Sequence, residues 1–381
     1  MNAQAAIKTY FLPDDWVLAY RARDLVATKL STAESVTVEG DIADALVTKT
    51  LRPSTWAALA SREPLLGELQ RQLGTHELTE LNRASLLKGA GWRQLFIELT
   101  ARCNERCVHC YADSSPERDE CLGLNEIRAL LDDAKTLGFE LVQLTGGDPL
   151  VSPHCVPAAE YARRIGIPKL EVYTNGLALR GKVYERLREL AVSFAFSFYS
   201  HDASRHDAIT RTPGSHQRTT RAIRRAVQDG LSVRTGTIIM DENELDAKDT
   251  RAYLVQLGVK GNAIGMDRSR AVGRGDLHHP PMHRELQGRP VERNDQGRGG
   301  SRPFGGTAAV SPDGVVYPCI FGRHLALGSI RQKSLRAILS APEPVAAPTA
   351  QLIAKRTAWA ARLSCWECQT RSQLLGASID A

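Results

Sequence analysis

Residues 94–110 read QLFIELTARCNERCVHC, an apolar run followed at once by a polar loop that holds Cys103, Cys107 and Cys110. A short apolar run is a buried strand when similar runs recur at helix-length intervals. They do recur: "FELVQLT", "KLEVYT", "VSFAFSFYS", "LSVRTGTIIM" and "GNAIGMD" follow. Between them lie the helical patterns "LNEIRALLDDAKTLG", "VPAAEYARRIG", "GKVYERLRELA", "SHQRTTRAIRRAVQDG" and "AKDTRAYLVQLG", several closed by a glycine just past the last turn. Strands alternating with helices imply parallel pairing through right-handed crossovers, hence an α/β fold. Six strands make an open, partial (β/α)6 barrel over residues 91–275, two units short of a closed eight-fold one.

In such folds the chemistry sits in the loops at the C-terminal ends of the strands. The three cysteines follow the first strand, "TGGDPL" (145–150) the second, "TNG" (174–176) the third and "YSHDASRHDAITRTPGS" (199–215) the fourth. All these clusters fall on one rim.

The whole chain has 381 residues, more than one hydrophobic core usually takes. Its 49 basic and 43 acidic residues leave +6, with arginines scattered over every segment. A nucleic-acid partner would want a concentrated basic stripe, so the charge reads as a solvated surface and no nucleic acid is expected. No apolar run approaches the roughly 20 residues that span a bilayer, and the start lacks a signal-peptide pattern, so the expected location is cytoplasmic, with no membrane partner. In a reducing compartment eight cysteines point to metal ligation or catalysis rather than disulfides.

Residues 1–90 carry strand-like stretches ("WVLAY", "SVTVEG", "ALVTKT") and then a helical one, "STWAALASREPLLGELQRQLG", which suggests a small winged-helix-like domain. Residues 276–303 are rich in Gly, Pro, Arg and His without apolar period, and read as a linker or substrate-covering loop. His278, His279 and His283 there read as solvated. Residues 304–381 open with a hairpin, "TAAVSPDGVVYPC", turning at Asp313-Gly314, and later carry Cys365 and Cys368 in "CWEC". Cys121 and Cys155 read by default as small buried hydrophobes.

Three thiolates in one loop are one short of a closed zinc site, and His109, beside Cys110, is poorly placed to be the fourth ligand. An iron–sulfur cluster tolerates the gap: three thiolates hold three irons and leave the fourth open for reaction.

The C-x3-C-x2-C spacing of "CNERCVHC" resembles that of the radical S-adenosylmethionine (radical SAM) enzymes, which use a partial six-unit barrel. The resemblance implies a [4Fe-4S] cluster on Cys103, Cys107 and Cys110 whose open iron chelates S-adenosylmethionine. Reductive cleavage would then give a 5′-deoxyadenosyl radical. "GGDPL" is similar to the family's "GGE" segment, which implies that the backbone of Gly146, Gly147, Asp148 and Pro149 meets the methionine amino group; the family more often has Glu where this chain has Asp148. Asn175 and Ser197 match strand-end polar positions facing ribose and methionine, and Arg211 a position near the carboxylate. The turn and strand roles of Asn175 and Ser197 remain open alternatives.

The tail resembles the SPASM/twitch extension, which implies an auxiliary [4Fe-4S] cluster on Cys319, Cys365 and Cys368, or a degenerate tail without metal. The N-terminal layout is similar to the leader-binding element of peptide-modifying relatives, with a plain packing domain as the open alternative. Together these imply a radical SAM maturase of a ribosomally made precursor peptide, forming a crosslink or an epimer and reduced by a flavodoxin or ferredoxin. Its rivals are a radical SAM dehydrogenase or maturase acting on an aminosugar or tetrapyrrole, and a non-catalytic metal-binding protein.

Overall fold

The computed structural model describes residues 8–12, 16–21, 23–29, 34–75, 79–80, 83–88, 91–269, 272–278, 306–323 and 325–341. Cys365 and Cys368, His279 and His283, and most of the 276–303 segment lie outside the described residues; of His278 only the backbone is described. Two compact units separate near residue 90.

The first unit is built on five antiparallel strands, β1 (Lys8–Leu12), β2 (Trp16–Arg21), β3 (Asp24–Lys29), β4 (Ser35–Glu39) and β5 (Thr79–Glu80), in the order β4-β3-β2-β1-β5. Alternate residues Trp16 and Leu18 on β2, and Leu25 and Ala27 on β3, are buried, as period two demands of a sheet covered on one face. Helices α1 (Gly40–Val47), α2 (Pro53–Arg62), α3 (Pro64–Thr75) and α4 (Arg83–Lys88) accompany the sheet. Ala43 and Leu46 of α1 and Leu66, Leu69 and Leu73 of α3 complete the core.

Two sequence expectations change here. "ALVTKT" is not a strand but the end of α1 and a turn, because Ala43 and Leu46 bury at a spacing of one helical turn. The helical stretch 54–74 is two helices, because Pro64 forces Glu63 into an extended conformation (φ −137°, ψ 102°).

In the second unit the six expected strands are present: β6 (Gln94–Glu98), β7 (Leu141–Thr145), β8 (Lys169–Thr174), β9 (Ser193–Ser197), β10 (Val233–Ile239) and β11 (Ile264–Arg268), all parallel and in sequential order as an open partial barrel. Helices α5 (Leu124–Leu137), α6 (Cys155–Arg164), α7 (Gly181–Glu189), α8 (Ala203–Thr210), α9 (Ser215–Gln228) and α10 (Ala247–Gln256) lie between them. Gly138 ends α5 in the left-handed conformation (φ 82°), donating its N–H to Ala134 and Lys135 carbonyls. The loop before α9 hides α8, which the sequence reading missed; Asp202 caps it by accepting the Arg205 N–H.

The hairpin of β12 (Thr307–Val310) and β13 (Val315–Tyr317) does not stand apart. β12 pairs in parallel with β6, so the tail continues the barrel sheet, followed by β14 (Gly328–Ser329) and the short α11 (Leu335–Leu339). Gly314 adopts φ 86° and donates to the Ser311 carbonyl, so Pro312-Asp313 form the turn and Gly314 the left-handed residue after it.

The pairing register sorts the barrel's side chains. Leu95, Ile97, Val142, Leu144, Leu170, Val172, Phe194 and Phe196 share the apolar face. The other face is polar: Glu98 and Thr145, Gln143 and Glu171, Tyr173, Ser197 and Arg234. There Glu171 accepts from Gln143 (2.5 Å) and from both arms of Arg234 (2.7 Å each). No described helix is long and apolar enough to cross a membrane.

Candidate active site

The cysteine loop runs from the end of β6 and is held on several sides. The Cys103 N–H donates to Ser115 (3.1 Å), while Arg106 and Val108 donate to the carbonyls of Thr210 and Ile209 at the end of α8 (3.1 and 3.0 Å). From beyond β11 comes Arg274, which sequence reasoning missed. Its side chain donates to the carbonyls of Cys107 (3.0 Å) and Ser114 (2.7 Å) and to the Asp113 carboxylate (2.8 Å), and its N–H to Cys110 (3.0 Å). Gly273 (φ 60°) lets that segment approach: a Cβ there would lie 2.6 Å from the Cys110 carbonyl oxygen.

The second rim loop presses against the first. A Cβ on Gly146 (φ 134°) would lie 2.5 Å from the Thr100 carbonyl oxygen, and one on Gly147 2.2 Å from that of Arg102. The expected reason for these glycines is close approach of a ligand; the geometry gives the cysteine loop itself as the neighbour they admit. Asp148 is fully buried. Its carboxylate accepts from the Leu150 N–H (2.9 Å), the Thr174 hydroxyl (2.7 Å) and the Asn175 N–H (2.9 Å), tying the end of β7 to the end of β8. Pro149 is buried at the start of the short turn that follows. Asn175 donates to Asn104 Oδ1 (2.6 Å) and lies 3.9 Å from Cys103 Sγ, so the second and third loops both end on the cysteine loop.

Behind Cys107 lies Glu105, also missed, and buried. Burial raises its carboxyl to about 7, against hydrogen bonds from Ser215, Cys107 and Asn175. The Ser215 hydroxyl donates to it and stands 3.3 Å from His206 Nε2. The Tyr199 N–H donates to His206 Nδ1 (3.2 Å), which places the His206 proton on Nε2, and burial lowers His206 to about 3, keeping it neutral.

Burial, then Asp148, pushes the Cys103 thiol up, and burial, then Glu105, does the same to Cys107; each also feels Cys110. A cationic group between the sulfurs would favour the thiolates of Cys103 and Cys107. Among the described residues no three His, Cys, Asp or Glu converge on a single metal-ion position. A four-iron cluster spreads its thiolates wider, each on its own iron. Three thiols from one loop are the donor set that such a cluster takes.

Ser197 ends β9 on the polar face, beside the hydroxyls of Tyr173 and Tyr199. Arg211 is exposed and closes α8 with φ 52°. Cys319 is buried after β13, and Cys155 is buried at the start of α6. Cys121, expected to be buried, is exposed, its backbone bridged to Thr100.

A second polar knot joins the cysteine loop to the tail. Glu98, 1% exposed at the end of β6, accepts from the Tyr111 hydroxyl (3.0 Å) and from Arg323, whose guanidinium lies over the Tyr111 and Tyr317 rings at 5.3 and 5.8 Å. A carboxylate in an otherwise apolar strand was the available signal for Glu98. Removing one member strands a buried charge. Arg323→Met should cost about 3 kcal/mol of stability, and adding Glu98→Gln should recover much of it. Chemical denaturation of both variants checks this, and equal midpoints for the single variant and the parent would refute it.

Comparisons with known proteins bear on this site. Residues 97–254 match the radical SAM superfamily model and residues 304–369 the SPASM model, an iron–sulfur cluster-binding domain. The antilisterial bacteriocin subtilosin biosynthesis protein AlbA of Bacillus subtilis is 27% identical over 266 residues, 64% of this chain and 59% of that protein. An AdoMet-dependent heme synthase of Methanosarcina barkeri is 29% identical over 163 residues, 42% of this chain and 46% of that protein. The alignments thus span about three fifths and under half of these relatives. The crystal structure of Streptococcus suis SuiB bound to precursor peptide SuiA superposes with a TM-score of 0.52 at 13% identity, covering 87% of this chain and 88% of that one, a likeness of fold.

Proposed function

We propose that the chain is a radical SAM peptide maturase that modifies a ribosomally made precursor by hydrogen abstraction, leaving a crosslink or an epimer; the matches of residues 97–254 to the radical SAM superfamily model and of 304–369 to the SPASM model support this reading. The observation that carries this is one rim loop presenting three thiols, with two further loops ending against it. When bound, the [4Fe-4S] cluster and S-adenosylmethionine supply the electron and the 5′-deoxyadenosyl radical. Cys103, Cys107 and Cys110 would hold the cluster. Backbone groups of Gly146, Gly147, Asp148 and Pro149 would meet the methionine end, with Asn175 and Ser197 beside it and Arg211 within reach of the rim. Asp148, which braces two loops, keeps those groups in place.

The polar barrel face would orient the substrate, and the apolar face behind it excludes water. Cys319, Cys365 and Cys368 would hold an auxiliary cluster, and the protein would work in a reducing cytoplasm with an electron donor. A peptide substrate is favoured over a tetrapyrrole because the AlbA match covers 64% of this chain and the heme synthase match 42%.

The first unit offers a route to the leader. β4 is an edge strand with a largely exposed pattern, and an extended peptide can add to such an edge through main-chain hydrogen bonds. Tethering raises the local concentration of the core peptide at the radical site. A precursor stripped of its leader should therefore be modified at least about 100-fold less efficiently than the intact one, while uncoupled cleavage of S-adenosylmethionine continues. Mass spectrometry of both substrates is the check. Equal modification would remove leader recognition from the proposal, and cleavage without any peptide modification would favour a small-molecule substrate.

A further inference from the structure

The arginines scattered along the sequence are gathered by the fold. On α9, Arg218, Arg221 and Arg224 are exposed and three residues apart, so they descend one side of the helix. Among the described residues none of the three is ion-paired, whereas Arg225, Arg186 and Arg188 nearby have Glu185, Glu160 and Glu189 among their partners. The exposed side of α9 carries no acidic residue before Asp229.

The first arginine of this ridge sits at the corner that braces the cysteine loop. Arg218 donates to the carbonyls of Gly214 and Pro213 (3.1 Å each), which fixes its guanidinium at the α8–α9 corner. The same corner accepts the backbone N–H groups on either side of Cys107, those of Arg106 and Val108, and the first residue of α9, Ser215, bonds to Glu105. The corner that fixes Arg218 is thus hydrogen-bonded, through Thr210 and Ile209, to the loop that carries Cys107.

We propose that this ridge docks an acidic electron-transfer protein that reduces the barrel cluster, an inference that rests on the cluster assignment above. One electron leaves the donor's flavin or iron–sulfur centre and one enters the cluster, with no bond made or broken and no proton moved. Unpaired surface charges chiefly accelerate encounter with an oppositely charged partner, and salt screens them.

The experiment uses the full-length protein: oxidised flavodoxin is titrated into it before reconstitution, where the charge-reversed variants should bind at least about tenfold more weakly than the parent, and, with the cluster reconstituted, 5′-deoxyadenosine formation is followed with either reduced flavodoxin and its reductase or dithionite. In Arg218→Glu/Arg221→Glu/Arg224→Glu, and in Arg221→Glu/Arg224→Glu, which leaves the corner intact, the flavodoxin-driven rate at low ionic strength should fall about tenfold or more. The deficit should shrink as salt is added, and the dithionite-driven rate should stay as in the parent. An unchanged flavodoxin-driven rate, or equal losses with both reductants, overturns the proposal. Slower peptide modification under dithionite with intact flavodoxin-driven cleavage would assign the ridge to an acidic peptide and overturn it too. A parent protein that forms no deoxyadenosine even with dithionite would sink the cluster assignment, and this proposal with it.

Discussion

Alanine at Cys103, Cys107 and Cys110 together should abolish the conversion of S-adenosylmethionine to 5′-deoxyadenosine. The three thiols lie on one loop; of the other described cysteines, Cys155 is buried at the start of α6, Cys319 is buried in the tail and Cys121, at the end of the same connection, is exposed. The loop backbone is anchored by groups other than the sulfurs, among them Ser115, Thr210, Ile209 and Arg274, so the variant should stay folded. The same protein also tests the tail. If Cys319, Cys365 and Cys368 hold a cluster, about four irons per chain should remain after anaerobic reconstitution. Deoxyadenosine formation undiminished in the variant would refute the barrel assignment, and iron near zero would leave the tail without metal.

Gly147→Ala should be nearly as damaging without touching a ligand. Its Cβ would come 2.2 Å from the Arg102 carbonyl oxygen, where ordinary contact begins at 3.4 Å. The two loops must then part by about an ångström, and the moving atom belongs to the residue before Cys103. A displacement of that size at a reacting centre costs about 100-fold in rate. Iron content should hold while deoxyadenosine formation drops; a rate within twofold of the parent would mean that the loops yield without consequence. Gly138→Ala is a useful contrast, since a Cβ there meets nothing within 4 Å and only the left-handed backbone is strained.

The barrel was legible in the sequence because its strands are buried on both sides at the centre and so read as apolar runs, while each helix shows one apolar stripe. The rim loops were legible by position alone. What escaped depends on contacts between distant residues. Glu98 and Arg323 are 225 positions apart, and neither announces the other. Arg274 sits in a short GRG stretch with no motif about it. α8 escaped because "ASRHDAIT" has hardly any apolar period and its cap, Asp202, is one polar residue among many. The "ALVTKT" error came from trusting β-branched composition over the spacing of Ala43 and Leu46. The arginine ridge was not legible because one helix turns a dispersed charge into a line.

The parallel pairing of β6 with β12 joins Gln94 to Thr307 across more than half of the chain. Synthesis runs from the N-terminus, so β6 emerges long before the strand that covers its edge. Until Thr307 has left the ribosome, that edge carries unpaired N–H and C=O groups, and Glu98 waits without Arg323. Closing so long a loop is slow, which makes this pairing a late event in folding. The cysteine loop springs from β6, and its final setting is accordingly deferred. Iron delivered to the nascent chain would meet three thiols on a strand whose edge is still open.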